Sequence, residues 1–302
     1  MGRVRRRYTP PWSARPRVAD AAGVGVRNVQ DTLPADPTQP FDTGGAILSA
    51  VGLVLIVMGI LAADNNGWLM VALIVAGALV LAWFFRSVRT KERAGQEPLL
   101  PTALFRNYTS NLGLVTQNAQ WLLLMGVSFV VSAYLQVVRG YDAIQTGVIF
   151  TAVTAGLLAS SLAAERLAKR RAQRTLILAG FMITLVGIGA LLAMVIGSPS
   201  VWAFVPGLLL IGLGLGLMLT PSVNIVQSSF GEELQGEISG LSRSVSNLGS
   251  SLGTAIAGTV LVAGITSTPG RSYGLAMIVL AAAGLVGLVA LLFLPRTVAP
   301  PK

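Results

Sequence analysis

Residues 201–226 read VWAFVPGLLLIGLGLGLMLTPSVNIV, without one Asp, Glu, Lys or Arg. About 20 apolar residues carry a helix across the hydrocarbon core of a bilayer, so this stretch is long enough to span one. Seven more such stretches flank it, at roughly 44–63, 68–86, 111–137, 143–164, 174–196, 244–265 and 272–294. The expected fold is therefore all-α, a polytopic membrane protein with about eight transmembrane helices. Segments 111–137 and 201–226 exceed what the core requires, which implies tilt or extension past it. Segment 244–265 is the least hydrophobic of the eight and the richest in Gly and Ser.

Composition agrees. Hydrophobic residues make up 53% of the 302-residue chain and charged residues 11%, against about 25% charged in a soluble domain. The net charge is +10. Its placement separates a nucleic-acid surface from the positive-inside rule of membrane proteins. All the Lys and Arg residues except Arg139 and Arg271 fall on one side of the expected membrane, counting Arg86 and Arg174 at its boundary. That asymmetry predicts that both termini are cytoplasmic, and it accounts for the charge without nucleic acid. Residues 1–43, with seven arginines and six prolines, are expected to form a basic cytoplasmic tail near anionic lipid. No apolar run follows the early arginines, so they do not read as a secretory signal. The sequon Asn107-Tyr108-Thr109 falls on the cytoplasmic side, where it stays unmodified.

The third span carries the most polar information. At about 100° per residue, Gln117, Asn118, Gln120, Trp121, Ser128, Ser132 and Gln136 share an arc of about 160°. Ala119, Leu122, Leu123, Gly126 and Val130 lie opposite. Amide side chains facing lipid lose their hydrogen bonds, so this arc is expected to face the bundle interior or a watery path. Hydrogen bonding between helices is the competing reading. Asn224 in the sixth span joins the candidate path residues. In the seventh span Arg243, Ser246, Asn247, Ser250, Ser251 and Thr254 share one arc. There Gly249 and Gly253, four apart, favour close helix packing over ligand contact. Gly212, Gly216 and Pro221 similarly mark a span that bends or packs tightly. The Gly-x-Gly-x-Gly at 212–216 is no dinucleotide motif, because no strand precedes it.

Much chemistry is excluded. There is no Cys and no His, and all twelve acids lie outside the span interiors, with Asp42, Asp64, Asp142 and Glu165 at boundaries. Thiol, imidazole and zinc chemistry are absent, and a serine without a base is no nucleophile. No enzyme, cofactor or metal site is expected. A channel needs a ring of like groups around a pore, and no repeated filter is legible.

Three stretches carry a resemblance. Tyr134-Leu135-Gln136-Val137-Val138-Arg139-Gly140-Tyr141-Asp142-Ala143-Ile144-Gln145-Thr146-Gly147 is similar to the end of span nine, the outer loop and the start of span ten in the fourteen-span drug:proton antiporters of the major facilitator superfamily. Leu104-Phe105-Arg106-Asn107 resembles their entry into span nine, and Gly240, Arg243, Gly249 and Gly253 stand at the spacing of span thirteen. Weaker is 161–170, where Glu165, Arg166, Lys169 and Arg170 resemble the superfamily's cytoplasmic loop motif, with Ser161 and Ala168 in place of glycines and Glu165 in place of aspartate.

The resemblance implies the last eight spans of such a transporter: a cytoplasmic tail at 1–43, two additional central helices within 44–86, a cytoplasmic linker at 87–110, a six-helix C-terminal domain at 111–294, and a short cytoplasmic tail at 295–302. It implies efflux of lipophilic drugs against protons, with Gln117, Gln120, Trp121, Ser128 and Gln136 lining the cavity and Arg139, Tyr141 and Asp142 forming the outer turn. The family's N-terminal six-helix domain, which holds the proton-coupling acid, has no counterpart here. The alternative is an inactive half-transporter, or an interaction module that docks on a partner chain or on a second copy of itself.

Overall fold

The computed structural model describes residues 42–62, 66–96, 98–168, 172–195, 200–263 and 269–294. Residues 1–41 of the expected N-terminal tail, the C-terminal tail, Asp64, Lys169 and Arg170 lie outside the described residues. The described chain forms α1 (Thr43–Leu61), α2 (Gly67–Arg93), the short α3 (Ala103–Arg106), α4 (Tyr108–Ala133), α5 (Ala143–Ala168), α6 (Gln173–Val195), α7 (Phe204–Gln227), α8 (Gln235–Ala263) and α9 (Pro269–Leu292). Eight of these are long and apolar enough to cross a membrane, and each overlaps one expected span.

Side chains start several helices where the sequence places short polar residues. Asp42 Oδ1 accepts the Gly45 N–H at 2.7 Å at the start of α1. Asn66 and Asn107 cap α2 and α4 in the same way. At α5, Asp142 accepts the Gln145 N–H at 2.7 Å while Gln145 accepts the Asp142 N–H at 3.1 Å, a reciprocal capping box. Such caps satisfy N–H groups that a helix start leaves unpaired. Gly95, at φ +70°, closes α2, with Gln96 N–H reaching back to the Lys91 carbonyl.

Three helix ends depart from the sequence reading. The second helix runs past 86 to Arg93, so part of 87–110 is helix, and α3 occupies more of it. The seventh span begins as α8 at Gln235, within the 227–243 gap expected between spans, because Ile238 and Leu241 are buried against Leu104, Leu114 and Val226. The third span ends in a π-helical turn, Tyr134–Val138, rather than regular α-helix. Hydropathy alone misses the first two because their turns are amphipathic, not uniformly apolar.

Helices α1 and α2 pack as a pair through Gly52, Gly59 and Gly77, and a Cβ on Gly77 would meet the Gly52 carbonyl at 2.8 Å. The remaining six long helices share one apolar core that includes Leu123, Leu135, Ile177, Phe181, Leu208, Met218, Ala257 and Leu280. Its principal contacts pair α4 with α8, α5 with α7, α6 with α7, α4 with α9, α4 with α7, α6 with α9 and α8 with α9. Exchanging α4 with α7, α5 with α8 and α6 with α9 maps the first six onto themselves, while the counterpart of α8–α9, α5 against α6, is a slighter contact. That is the contact pattern of two three-helix repeats.

Two glycine pairs sit at the equivalent crossings. On α7, a Cβ at Gly212 would strike the Val153 carbonyl, and one at Gly216 the Ser160 hydroxyl and Leu157 carbonyl of α5. On α8, Gly249 and Gly253 abut the Asn118 and Leu122 carbonyls of α4 in the same fashion. Side chains this small let backbones approach within van der Waals contact. Pro221 is buried inside α7, which continues unbroken around it.

The strap between α2 and α4 is tied down. Asp42 Oδ1 accepts the Lys91 ammonium at 2.6 Å, and Oδ2 accepts the Leu99 N–H at 3.1 Å. Glu92 accepts the Thr102 N–H and hydroxyl. Phe105 meets Phe85 edge-on at 5.3 Å, and Leu104 is fully buried. At the far end of α1, the Thr259 hydroxyl of α8 donates to the Ile60 carbonyl at 3.0 Å.

Candidate functional site

The polar arc of α4 divides in three dimensions. Gln117 is buried between α4 and α8. Its Nε2 donates to Ser246 Oγ at 2.9 Å, and its Oε1 accepts the Ser242 hydroxyl at 3.0 Å. Ser246 passes its own proton to the Ser242 carbonyl at 2.9 Å. Both ends of the amide are therefore satisfied within the protein. Asn118 donates to the Val245 carbonyl at 3.0 Å. Gln120 turns instead to α7, where its Oε1 lies 2.9 Å from Ser222 Oγ. That hydroxyl also lies 3.0 Å from the Leu219 carbonyl, and its single proton serves one acceptor at a time. Gln120 Nε2 is buried without a hydrogen-bond partner among the described residues.

The rest of the arc is less enclosed. Trp121, Ser128 and Ser132 are half-buried, and Ser128 donates back to the Leu124 carbonyl at 2.6 Å. Gln136 is exposed and donates to Ser132 Oγ at 2.8 Å.

Elsewhere in the six-helix bundle, exposed polar side chains within the spans come chiefly from α5, α7 and α8: Thr151 and Thr154, Thr220 and Asn224, and Arg243, Ser244, Asn247 and Ser251, with Gln145 and Thr175 in the first turns of α5 and α6. Thr151 and Thr154 satisfy their own hydroxyls on the carbonyls of Val148 and Phe150. Helices α6 and α9 differ. Between their ends their large exposed side chains are apolar: Met182 and Val186 on α6, and Leu275, Ile278, Val279, Leu285, Val286 and Val289 on α9. Thr151, Thr154 and Thr220 are absent from the sequence-derived candidates. Their spacing in α5 and α7 carries a weak polar signal, diluted by Gly and Ala on the same helices.

The loop-motif residues Glu165 and Arg166 lie exposed in the last turn of α5. Nearby, Arg174 does what the sequence gives no sign of: its guanidinium donates to the Leu291 carbonyl at 3.3 Å and to the Leu292 carbonyl at 2.9 Å, capping the end of α9. At the opposite end of the bundle, Arg139 lies 5.6 Å from the ring centre of Tyr134, whose ring contacts Tyr273 of α9 at 5.0 Å and Phe204 of α7 at 5.9 Å. Three helix ends thus meet on the π-helical turn. Asp142, next along the chain, caps α5 as described.

Among the described residues no group of three or more Asp and Glu side chains stands close enough to hold a metal ion. The arrangement is that of a polytopic helical bundle with polar side chains on selected helix faces. The chain belongs to the major facilitator superfamily, whose family profile matches residues 41–254. It is 31% identical over 225 residues to a puromycin resistance protein of Streptomyces alboniger, a match covering 72% of this chain and 44% of that protein. It is 28% identical over 235 residues to a multidrug resistance protein of Mycobacterium tuberculosis, covering 76% and 42%. A probable actinorhodin transporter of Streptomyces coelicolor is 26% identical over 230 residues, covering 74% and 40%. The matched region thus spans less than half the length of these relatives. The chain is an integral membrane protein of a transporter family.

Proposed function

We propose that this chain contributes the C-terminal half of an efflux transporter of the plasma membrane, exporting lipophilic small molecules in exchange for protons. One observation carries this reading: α5, α7 and α8 expose polar side chains within their spans, while α6 and α9 expose large apolar ones. Polar groups avoid acyl chains, so Thr151, Thr154, Asn224, Asn247 and Ser251 favour a watery path or a second domain over lipid. Trp121, Ser128, Ser132 and Gln136 extend that wall toward one membrane face, and Trp121 offers a ring to a cationic or aromatic substrate. Gln117, Asn118 and Gln120 stand behind the wall and hold it in place. The names of the relatives, resistance and export proteins, support efflux. The lysine and arginine asymmetry supports cytoplasmic termini.

In this reading the chain comprises the additional helix pair, α1 and α2, a strap, and the six-helix half from α4 to α9. Alternating access needs a second six-helix body across the polar face. That body is an N-terminal region of a longer chain, a partner chain, or a second copy.

Deletion of the gene in its host tests the reading. Loss of efflux raises the intracellular accumulation of ethidium and related lipophilic cations, while unchanged accumulation across a panel of such compounds sinks it. A chromosomal C-terminal tag identifies the second body. A product well above 31.4 kDa means one longer chain, and a product at that mass means a partner or a self-pair.

A further inference from the structure

We propose that the outer face of α2 is a binding site for the phosphodiester headgroup of an anionic phospholipid, held by Arg86 and Arg89 with Arg93 above them. At about 100° per residue, Leu79, Trp83, Arg86, Arg89 and Arg93 share an arc of about 120°. Gly77, Phe84 and Val88, the buried residues of α2, lie opposite, and Lys91 on that inner side is paired with Asp42. The stripe is therefore the face that α2 turns away from the protein. Leu79 is 66% exposed and Trp83 is 64% exposed, and all three arginines are exposed.

These guanidiniums differ from Lys91, Arg174 and Arg139. Lys91 has its carboxylate, Arg174 has two carbonyls, and Arg139 lies by Tyr134. Arg86, Arg89 and Arg93 make no hydrogen bond or ion pair with a described residue. Glu92, the nearest acid along the helix, gives both carboxylate oxygens to Thr102. The stripe thus presents unpaired donors directly above apolar side chains.

That order fits one lipid molecule. Acyl chains lie along Leu79, and an indole such as Trp83 belongs at the interface. Arg86 and Arg89 are separated by about 4.5 Å of helix rise, within a headgroup layer of roughly 5–7 Å per leaflet. A guanidinium binds phosphate oxygens with two parallel N–H donors, so two of them can enclose one phosphodiester. A soluble anion would have no use for the apolar lower half of the stripe.

The test uses the purified full chain in neutral detergent, with thermal unfolding followed by intrinsic fluorescence during titration with dioleoyl phosphatidylglycerol. The expected result is a saturable rise in the unfolding midpoint, which dioleoyl phosphatidylcholine and inorganic phosphate do not reproduce. In R86Q/R89Q the half-saturating lipid concentration rises by about tenfold or more. R166Q/R243Q, which removes two exposed arginines on α5 and α8, leaves it within about twofold of the parent, as expected if binding is local and not set by net charge. Should the double variant fold poorly without lipid, R89Q alone and R86K/R89K replace it. R89Q is expected to weaken binding by about fivefold, and R86K/R89K to keep part of the affinity because charge remains while the paired donors are lost. The proposal is overturned if the arginine variants titrate like the parent, if R166Q/R243Q weakens binding as much, or if inorganic phosphate gives the same rise.

Discussion

Gln117 of α4 donates to Ser246 of α8 at 2.9 Å, and the two residues stand 129 positions apart in the chain. With Ser242 they form a closed set of hydrogen bonds at the crossing that Gly249 and Gly253 make tight. Small residues bring the backbones together and the amide then fastens them.

Replacing Gln117 with Leu removes two interhelical bonds and strands the Ser242 hydroxyl, while Ser246 keeps its bond to the Ser242 carbonyl. Hydrogen bonds of this kind in membrane proteins contribute about 0.6 kcal/mol on average and rarely more than about 1.7 kcal/mol. Gln117→Leu should therefore lower the thermal unfolding midpoint in detergent by a few degrees. Gln136→Leu, whose partner is Ser132 of its own helix in an exposed position, should leave the midpoint close to the parent.

Substitution at the glycines should separate packing sites from bystanders. A Cβ at Gly253 would overlap the Leu122 carbonyl and come within 3.0 Å of the Gly126 nitrogen, so Gly253→Ala forces α8 away from α4. A cost of roughly 1–3 kcal/mol is expected, as for other overpacked cores. Gly240 has nothing within 4 Å of such a Cβ. Gly240→Ala should stabilise by about 0.5–1 kcal/mol through helix propensity. The comparison is read from the two unfolding midpoints.

Asn224 and Asn247 test the wall without disturbing the core. Both are exposed, and only their backbone groups, not their side chains, take part in hydrogen bonds among the described residues. Asn224→Leu and Asn247→Leu should leave unfolding within about 0.5 kcal/mol, the usual range for surface changes. Both should alter the accumulation profile of lipophilic cations in cells where the complete transporter works. Unchanged transport by both variants would remove these residues from the path.

The clasp at Asp42 predicts an acid response. Burial by itself would raise this carboxyl's pKa. The Lys91 ammonium and the N–H groups of Gly45 and Leu99 outweigh that effect and hold it below the ordinary carboxylate value. A depressed native pKa means the unfolded state binds the proton first. The stabilisation is thus complete above the unfolded carboxylate range and is lost as pH falls through the lower native value. The unfolding midpoint should decline over that acid window in the parent. In Asp42→Asn the decline should be shallower, starting from a lower plateau.

Arg174→Gln should loosen the end of α9, because two carbonyls lose a charged donor. The cost is about 1–2 kcal/mol for a charge-assisted cap at a helix C-terminus. Faster hydrogen exchange of the last turn of α9, with little change elsewhere, is the expected signature.

The spans were readable because lipid imposes one plain demand, an apolar run of sufficient length, and 201–226 meets it without a charge. The turns at Ser87–Arg93 and Gln235–Arg243 were not, because their helices are held by one buried face: Val88 on α2, and Ile238 with Leu241 on α8. The polar arc of α4 was legible as an angle. What each amide meets was not. Gln117 and Gln120 lie 60° apart on a helical wheel, yet one reaches α8 and the other α7. Periodicity gives the direction a side chain takes from its own axis, and the neighbour found there depends on tertiary packing. Arg174 was hidden for the same reason, since its acceptors lie 117 and 118 residues downstream.

Helices α1 and α2 are fastened at both membrane faces, by Asp42, Glu92 and Leu104 at one and by Thr259 on Ile60 at the other. They ride beside the bundle as an outrigger rides beside a hull. In the proposed alternating-access cycle, a tilt of the six-helix body would sweep the pair through acyl chains. Bilayer viscosity would then set part of the drag on the movement, and stiffer membranes should slow the whole assembly.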